Sequence, residues 1–227
     1  VVEYIEESDL SELMRGKGIA GDTWNEKMRV RNRIAMKFLY GIDHYMSMYQ
    51  QDPIVHRDLK PENVLASPDG TIVKIIDFDW VHLHASNVTV MLRREQKGTP
   101  GYADPRYWNS YICRPEMDIY SAGLVLYFIY TGKHHFYGSE EIKNYMIGDD
   151  YAYQLKEMPG IDERLSRIIA KMIAREEERY GSIKEVIQDM TAYLTSVRKL
   201  PELPELLTQS QEEKTIRFSY RIGDVKY

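Results

Sequence analysis

The sequence predicts an α+β fold that is mostly α: a helical body carrying a small β-ribbon, followed by a C-terminal strand extension. Three observations carry this reading. Apolar residues recur at helical spacing over long segments, first at Met28, Ile34, Ala35, Phe38, Leu39, Ile42, Tyr45 and Met46. Between residues 54 and 79 the period shortens to β-like runs, Ile54-Val55, Val64-Leu65 and Ile72-Val73-Lys74-Ile75-Ile76. Close to the end, Ile216, Phe218, Tyr220 and Ile222 alternate with polar residues, the period of a half-buried strand.

In chain order, Val1-Val2-Glu3-Tyr4-Ile5 reads as the end of a strand, stopped by the polar cluster Glu6-Glu7-Ser8-Asp9. Residues 25–48 form one long helix with a buried face. Ser67-Pro68-Asp69-Gly70 supplies turn chemistry between the last two β-like runs, making a two-stranded ribbon. Residues 80–110 are polar and irregular, too long for an ordinary connector, and are read as a functional loop. Residues 119–130 are the most apolar segment and predict a central helix, while 139–148, 162–174 and 182–200 predict amphipathic helices. Pro201 and Pro204 punctuate a linker, so the chain divides into a body over 1–200 and a linker with strand over 201–227.

Composition narrows the function. The 227 residues are 43% hydrophobic and 29% charged, enough for a core and against wholesale disorder. A net charge of −5 repels a phosphate backbone, so general nucleic-acid binding is disfavoured. The one cysteine, Cys113, can form neither an internal disulfide nor a cysteine-based zinc site, which fits a reducing compartment. The apolar run from Ala122 to Tyr130 is far short of the roughly 20 residues that span a bilayer, and the opening residues lack the basic and apolar regions of a signal peptide. A cytoplasmic location with no membrane span is therefore expected.

The chemistry concentrates in Ile54-Val55-His56-Arg57-Asp58-Leu59-Lys60-Pro61-Glu62-Asn63-Val64-Leu65. Phosphoryl transfer needs a carboxylate to take the proton of an attacking hydroxyl, a cation to offset charge on the moving group, and oxygen ligands for Mg²⁺. Asp58, Lys60 and Asn63 supply these in turn, and Asp77, after the ribbon, is placed to return beside Asn63 and share the metal.

With these motifs the sequence resembles the eukaryotic-type protein kinase family, specifically its C-terminal lobe from the hinge, near Val1, to the last helix, near Leu200. The resemblance implies that Glu3 to Ile5 present backbone groups to adenine, with Asp9 near the ribose and Val64 and Leu65 supporting the base. It implies Asp58 as base, Lys60 as phosphate partner, and Asn63 and Asp77 as Mg²⁺ ligands. Gly98-Thr99-Pro100-Gly101-Tyr102 is similar to the substrate-docking end of an activation segment, and Asp118 to a cap on the catalytic-loop backbone. Lys60 with Gly98-Thr99 resembles the serine/threonine branch. The implied activity is transfer of the ATP γ-phosphoryl group to a protein hydroxyl, with ATP, Mg²⁺ and a protein substrate. An N-terminal lobe is implied as partner, in cis or in trans, and without it the 1–227 fragment is expected to bind ATP weakly and to be inactive.

Two positions depart from the family pattern. Asp-Phe-Gly stands here as Asp77-Phe78-Asp79, and the Pro-Glu that closes the activation segment stands as Pro105-Arg106. The glutamate partner of a buried arginine, here Arg179, thus has reversed charge. Asp104 or Glu116 is expected to replace it, with Arg106 facing solvent or the run Glu176 to Glu178. The rival reading is a truncated or pseudokinase lobe acting as a binding or inhibitory module. His82, His84, His134 and His135 show no zinc spacing and read as solvated.

Overall fold

The computed structural model describes residues 8–48, 54–78, 82–83, 98–106, 114–147 and 150–197. Strand β1 (Ser8–Asp9) runs into a single turn, α1 (Leu10–Glu12), and then a π-helical turn over Leu13–Lys17. Helix α2 (Trp24–Ser47) starts at a reciprocal cap: Thr23 Oγ1 accepts the Glu26 N–H at 3.2 Å and the Glu26 carboxylate accepts the Thr23 N–H at 2.9 Å. Strand β2 (Ile54–Val55), a 3₁₀ turn (Pro61–Asn63), β3 (Val64–Ala66), β4 (Val73–Ile75) and β5 (His82–Leu83) follow. Helices α3 (Pro115–Thr131), α4 (Ser139–Ile147), α5 (Glu163–Ile173) and α6 (Ile183–Ser196) complete the body, with a 3₁₀ turn at Asp150–Tyr153. The fold is α+β and mostly α, as the periodicity predicts.

The ribbon is the antiparallel pair β3 and β4, with Val64 opposite Ile75 and Ala66 opposite Val73. Asp69 fixes its turn: one carboxylate oxygen accepts Ser67 Oγ at 2.6 Å, Thr71 N at 3.0 Å and Thr71 Oγ1 at 2.8 Å. The Ser67 and Thr71 donors hold that carboxyl at about 2, below the usual range.

Two sequence expectations need correction. Ser8 and Asp9, expected in a polar cluster outside any strand, are a strand themselves, pairing with Ala66 and Leu65 and making the ribbon three-stranded. Ile54-Val55 belongs to a separate pair with β5, inside the stretch expected to be irregular. Side-chain periodicity misses both because a two-residue strand has no period, and its pairing depends on residues far along the chain. The strand expected at 1–5, the 201–227 extension and most of the 80–110 loop lie outside the described residues.

Helix α3 is buried on all sides from Met117 to Tyr130, which is why it is nearly uniformly apolar rather than amphipathic. It packs most extensively on α5 and also on α2, and α6 closes the body against α2 and α5. Gly123 permits the tight approach of α3 to α5: a Cβ there would stand 2.7 Å from Ile173 Cγ2 and 2.9 Å from Met172 Cβ. Gly123→Ala is expected to cost about 1–3 kcal/mol through overpacking, despite alanine's better helix propensity. Denaturant unfolding of the two proteins checks this, and unchanged stability would mean the helices separate freely.

The histidines at 134 and 135 are not solvated. His135 is 1% exposed, flanked by the rings of Tyr127 and Phe136, and its Nε2 accepts the Lys156 N–H at 2.9 Å. Burial first, and Lys156 second, pull its pKa from the ordinary 6.5 to about 4. The unfolded chain therefore binds a proton that the folded chain refuses, so this stability is complete above 6.5 and drains as pH falls toward 4. His134, lowered mainly by burial, adds in the same sense. A loss of about 2 kcal/mol from His135 is expected between pH 7 and pH 5. Unfolding curves at the two values, with His135→Gln flattening the dependence, provide the measurement.

Candidate active site

The loop between β2 and β3 carries the candidate residues, and buried hydrogen bonds fix its shape. Asp118, at the start of α3, is 1% exposed; its carboxylate accepts the N–H of His56 at 2.6 Å and of Arg57 at 3.0 Å, and the Tyr45 hydroxyl at 2.8 Å. Burial pushes its pKa up, while His56, Arg57 and Tyr45 oppose the rise. The cap expected on the loop backbone is therefore present. His56 is fully buried, takes the Asp58 N–H on Nδ1 at 3.4 Å and donates from Nε2 to the Ile76 carbonyl at 3.0 Å, joining the loop to the segment after β4. Phe78 packs on the His56 ring at 4.7 Å between centroids.

Asp58 is the hub of the site. Its carboxylate accepts Thr99 Oγ1 at 2.8 Å and Asn63 Nδ2 at 3.2 Å and pairs with Lys60 Nζ at 2.9 Å. Lys60 also donates to Thr99 Oγ1 at 2.8 Å. The segment 98–102 is thereby drawn onto the Asp58 loop. Gly98, at φ +110°, makes the approach possible, since a Cβ there would stand 3.0 Å from the Arg57 carbonyl. The resemblance places Thr99 in the docking segment and in the serine/threonine signature; its two bonds, to Asp58 and Lys60, are what the structure adds.

Asn63 spends its amide N–H groups on Asp58, on the backbone carbonyl at 2.8 Å and on the side chain, which leaves its amide oxygen as the hard donor. The Ile76 N–H donates to the Asn63 carbonyl at 3.0 Å, which anchors the backbone next to exposed Asp77 on the Asn63 turn. One amide oxygen and one carboxylate, completed by phosphate oxygens and water, suit Mg²⁺. Among the described residues no group of three His, Cys, Asp or Glu side chains could hold a metal by itself. Arg57 and Asp77 have φ of +73° and +64°, the non-glycine residues in this region among those described. Such backbone is costly and tends to gather at functional sites.

The nucleotide-side candidates fare differently. Glu3 and Ile5 lie outside the described residues. Asp9 caps α1 through its bond to the Glu12 N–H at 2.8 Å and pairs with Leu65 across the sheet. Val64 is fully buried, whereas Leu65 is half-buried, so of the two Leu65 retains surface to offer.

The charge reversal at Arg106 is absorbed as expected. Arg179, 7% exposed, pairs with Asp104 at 2.5 Å and donates to the Glu116 backbone carbonyl at 3.1 Å, not to its side chain. Arg106 pairs with Asp104 at 2.8 Å and with Glu176, which also takes Arg114. Burial alone would raise the Asp104 carboxyl; Arg106 and Arg179 outweigh it and hold the carboxyl below its usual range.

The sequence model of the family described as "Protein kinase domain" matches residues 1–191. A probable myosin light chain kinase of Dictyostelium discoideum is 32% identical over 62% of this chain and 27% of its own length. Calmodulin-binding receptor-like cytoplasmic kinase 2 of Arabidopsis thaliana is 33% identical over 59% of this chain and 31% of its own. A probable serine/threonine-protein kinase PknB of Bifidobacterium longum is 26% identical over 86% of this chain and 27% of its own. The chain thus spans roughly a third or less of the length of these curated relatives.

Proposed function

The chain belongs to the protein kinase family, and from that premise we propose that it carries the transfer site of a protein serine/threonine kinase acting with ATP and Mg²⁺ on a protein hydroxyl. The observation that carries the proposal is the Asp58 carboxylate, nearly buried yet held by Lys60, Asn63 and Thr99 at the junction with the 98–102 segment. A carboxylate in this setting has one oxygen beside a hydroxyl already, at Thr99, and is positioned to receive a proton from a second hydroxyl entering the same junction. Lys60 offsets negative charge arriving beside that carboxylate. Asn63 and Asp77 would hold Mg²⁺, which supplies charge neutralisation on the phosphates. Asp9, Leu65, Glu3, Ile5 and Val64 are assigned to the nucleotide by resemblance, and half-buried Leu65 keeps surface to offer it. An N-terminal lobe, in cis or in trans, would complete the nucleotide walls, since a cleft must cover most of its ligand. A cytoplasmic setting fits the single cysteine.

Incubating the full-length protein with γ-labelled ATP, Mg²⁺ and a mixed protein substrate tests the reading. Label on serine and threonine is expected. Nucleotide binding without any transfer would favour the rival, a kinase-like binding module, for which Asp79 and Arg106 in place of the family's Gly and Glu are the supporting residues.

A further inference from the structure

A cluster beside the 98–102 segment has no part in the transfer chemistry. Arg15, exposed on the π-helical turn, donates to His134 Nε2 at 3.0 Å, and His134 Nδ1 is 2.7 Å from the Tyr102 hydroxyl. A guanidinium only donates, so Nε2 is the acceptor and the imidazole proton sits on Nδ1, donated to the Tyr102 oxygen. The ring is thus neutral and brings Arg15 no countercharge. No carboxylate among the described residues forms an ion pair with Arg15. Glu62, the acid on the Asp58 loop beside this cluster, instead accepts the Ser11 hydroxyl at 2.7 Å. A cation is therefore held at the edge of the segment by a relay of two side chains, Tyr102 being 6% exposed and His134 half-buried against Phe128 at 4.9 Å.

We infer that Arg15 is a specificity residue that selects substrate segments carrying a carboxylate next to the acceptor hydroxyl. The inference rests on the proposed substrate-docking role of residues 98–102. An arriving carboxylate meets a guanidinium whose long side chain is already oriented, so less rotamer entropy is lost than with a free surface arginine. It can engage the fork's remaining N–H groups without displacing an internal acid. A lysine or arginine in the same place meets the like charge of Arg15, and Glu62, which stays charged while it accepts the Ser11 hydroxyl, offsets part of that repulsion.

The test uses the full-length protein and three fluorescein-labelled peptides, each with one serine, that differ only in whether the residues flanking it are Asp and Glu, Asn and Gln, or Lys and Arg. Anisotropy is expected to show the acidic peptide binding roughly 2- to 5-fold tighter than the neutral one, in line with a pair to an exposed arginine. Arg15→Ala should bring the acidic and neutral peptides together, and Arg15→Glu should place the basic peptide first. An acidic preference that survives Arg15→Ala, or no acidic preference in the wild type, overturns the inference. Binding is read apart from turnover: peptides that bind in the expected order without being phosphorylated would defeat the kinase reading and leave Arg15 as the selector.

Discussion

Asp58→Asn is expected to reduce phosphoryl transfer by roughly 10²–10⁴-fold, the usual worth of a positioned general base, while leaving the fold and nucleotide affinity in place. The substitution keeps volume and one accepting oxygen, so the bond from Thr99 Oγ1 can persist. It removes the proton acceptor and the negative charge that Lys60 pairs with at 2.9 Å. The new amide N–H groups face Lys60 and the Asn63 amide, a local mismatch in a site that is already part open to water. Label transfer to a protein substrate, thermal unfolding and nucleotide titration separate these effects. Turnover at the wild-type level would remove Asp58 from the chemistry. A collapse of the unfolding temperature would instead make it a structural residue, like Asp118 beneath it.

The helices were legible because each carries a local pattern. The spacing from Met28 to Tyr45 marks the buried face of α2, and the unbroken apolar run around Leu124 marks a helix enclosed on every side. The ribbon was legible through its turn, where Asp69 bonds locally to Ser67 and Thr71. What escaped was non-local. Ser8-Asp9 is too short to show a period, and it is a strand only because Leu65 and Ala66 lie beside it. His135 reads as solvated in sequence because its burial is set by Tyr127 and Lys156 from two other segments as well as by its neighbour Phe136.

In the candidate site, residue types announced the carboxylate, the cation and the candidate metal donors, but the sequence does not state what lies between them. That Thr99 joins Asp58 to Lys60, or that Arg57 and Asp77 take positive φ, follows from the docking of the 98–102 segment and of the β4 end onto the loop. The rerouted pair at Arg179 was legible for a different reason. A buried guanidinium must find a carboxylate, so electrostatics limited the choice to Asp104, beside the altered position, and Glu116, at the start of α3.

That pair carries the largest expected effect on stability. Asp104→Ala would leave Arg179, whose side chain is 1% exposed, among backbone carbonyls of Ala174 and Glu116 with Arg106 as a second cation nearby. Breaking one side of a buried ion pair costs about 3–5 kcal/mol, and the carbonyl bonds that remain carry partial charges only. The damage should reach function as well, because Asp104 directly follows the turn in which Tyr102 and Ala103 donate to the Thr99 carbonyl at 3.0 and 3.1 Å. Loosening that turn releases Thr99 from Asp58. Adding Arg106→Glu to Asp104→Ala restores a carboxylate two residues along, where the family's glutamate stands, and removes the second cation. The double variant is therefore expected to be clearly more stable than Asp104→Ala alone. Arg106→Glu by itself removes the pair with buried Asp104 at 2.8 Å as well as the bridge to Glu176 and sets three acids together, so it is expected to destabilise the protein, though less than Asp104→Ala because Arg179 keeps its carboxylate. Denaturant unfolding of the four proteins closes the cycle. If Asp104→Ala is nearly neutral, Arg179 is solvated in solution; if the double variant is no better than the single one, the chain cannot seat a carboxylate at 106, and Asp104 is the acid this fold requires.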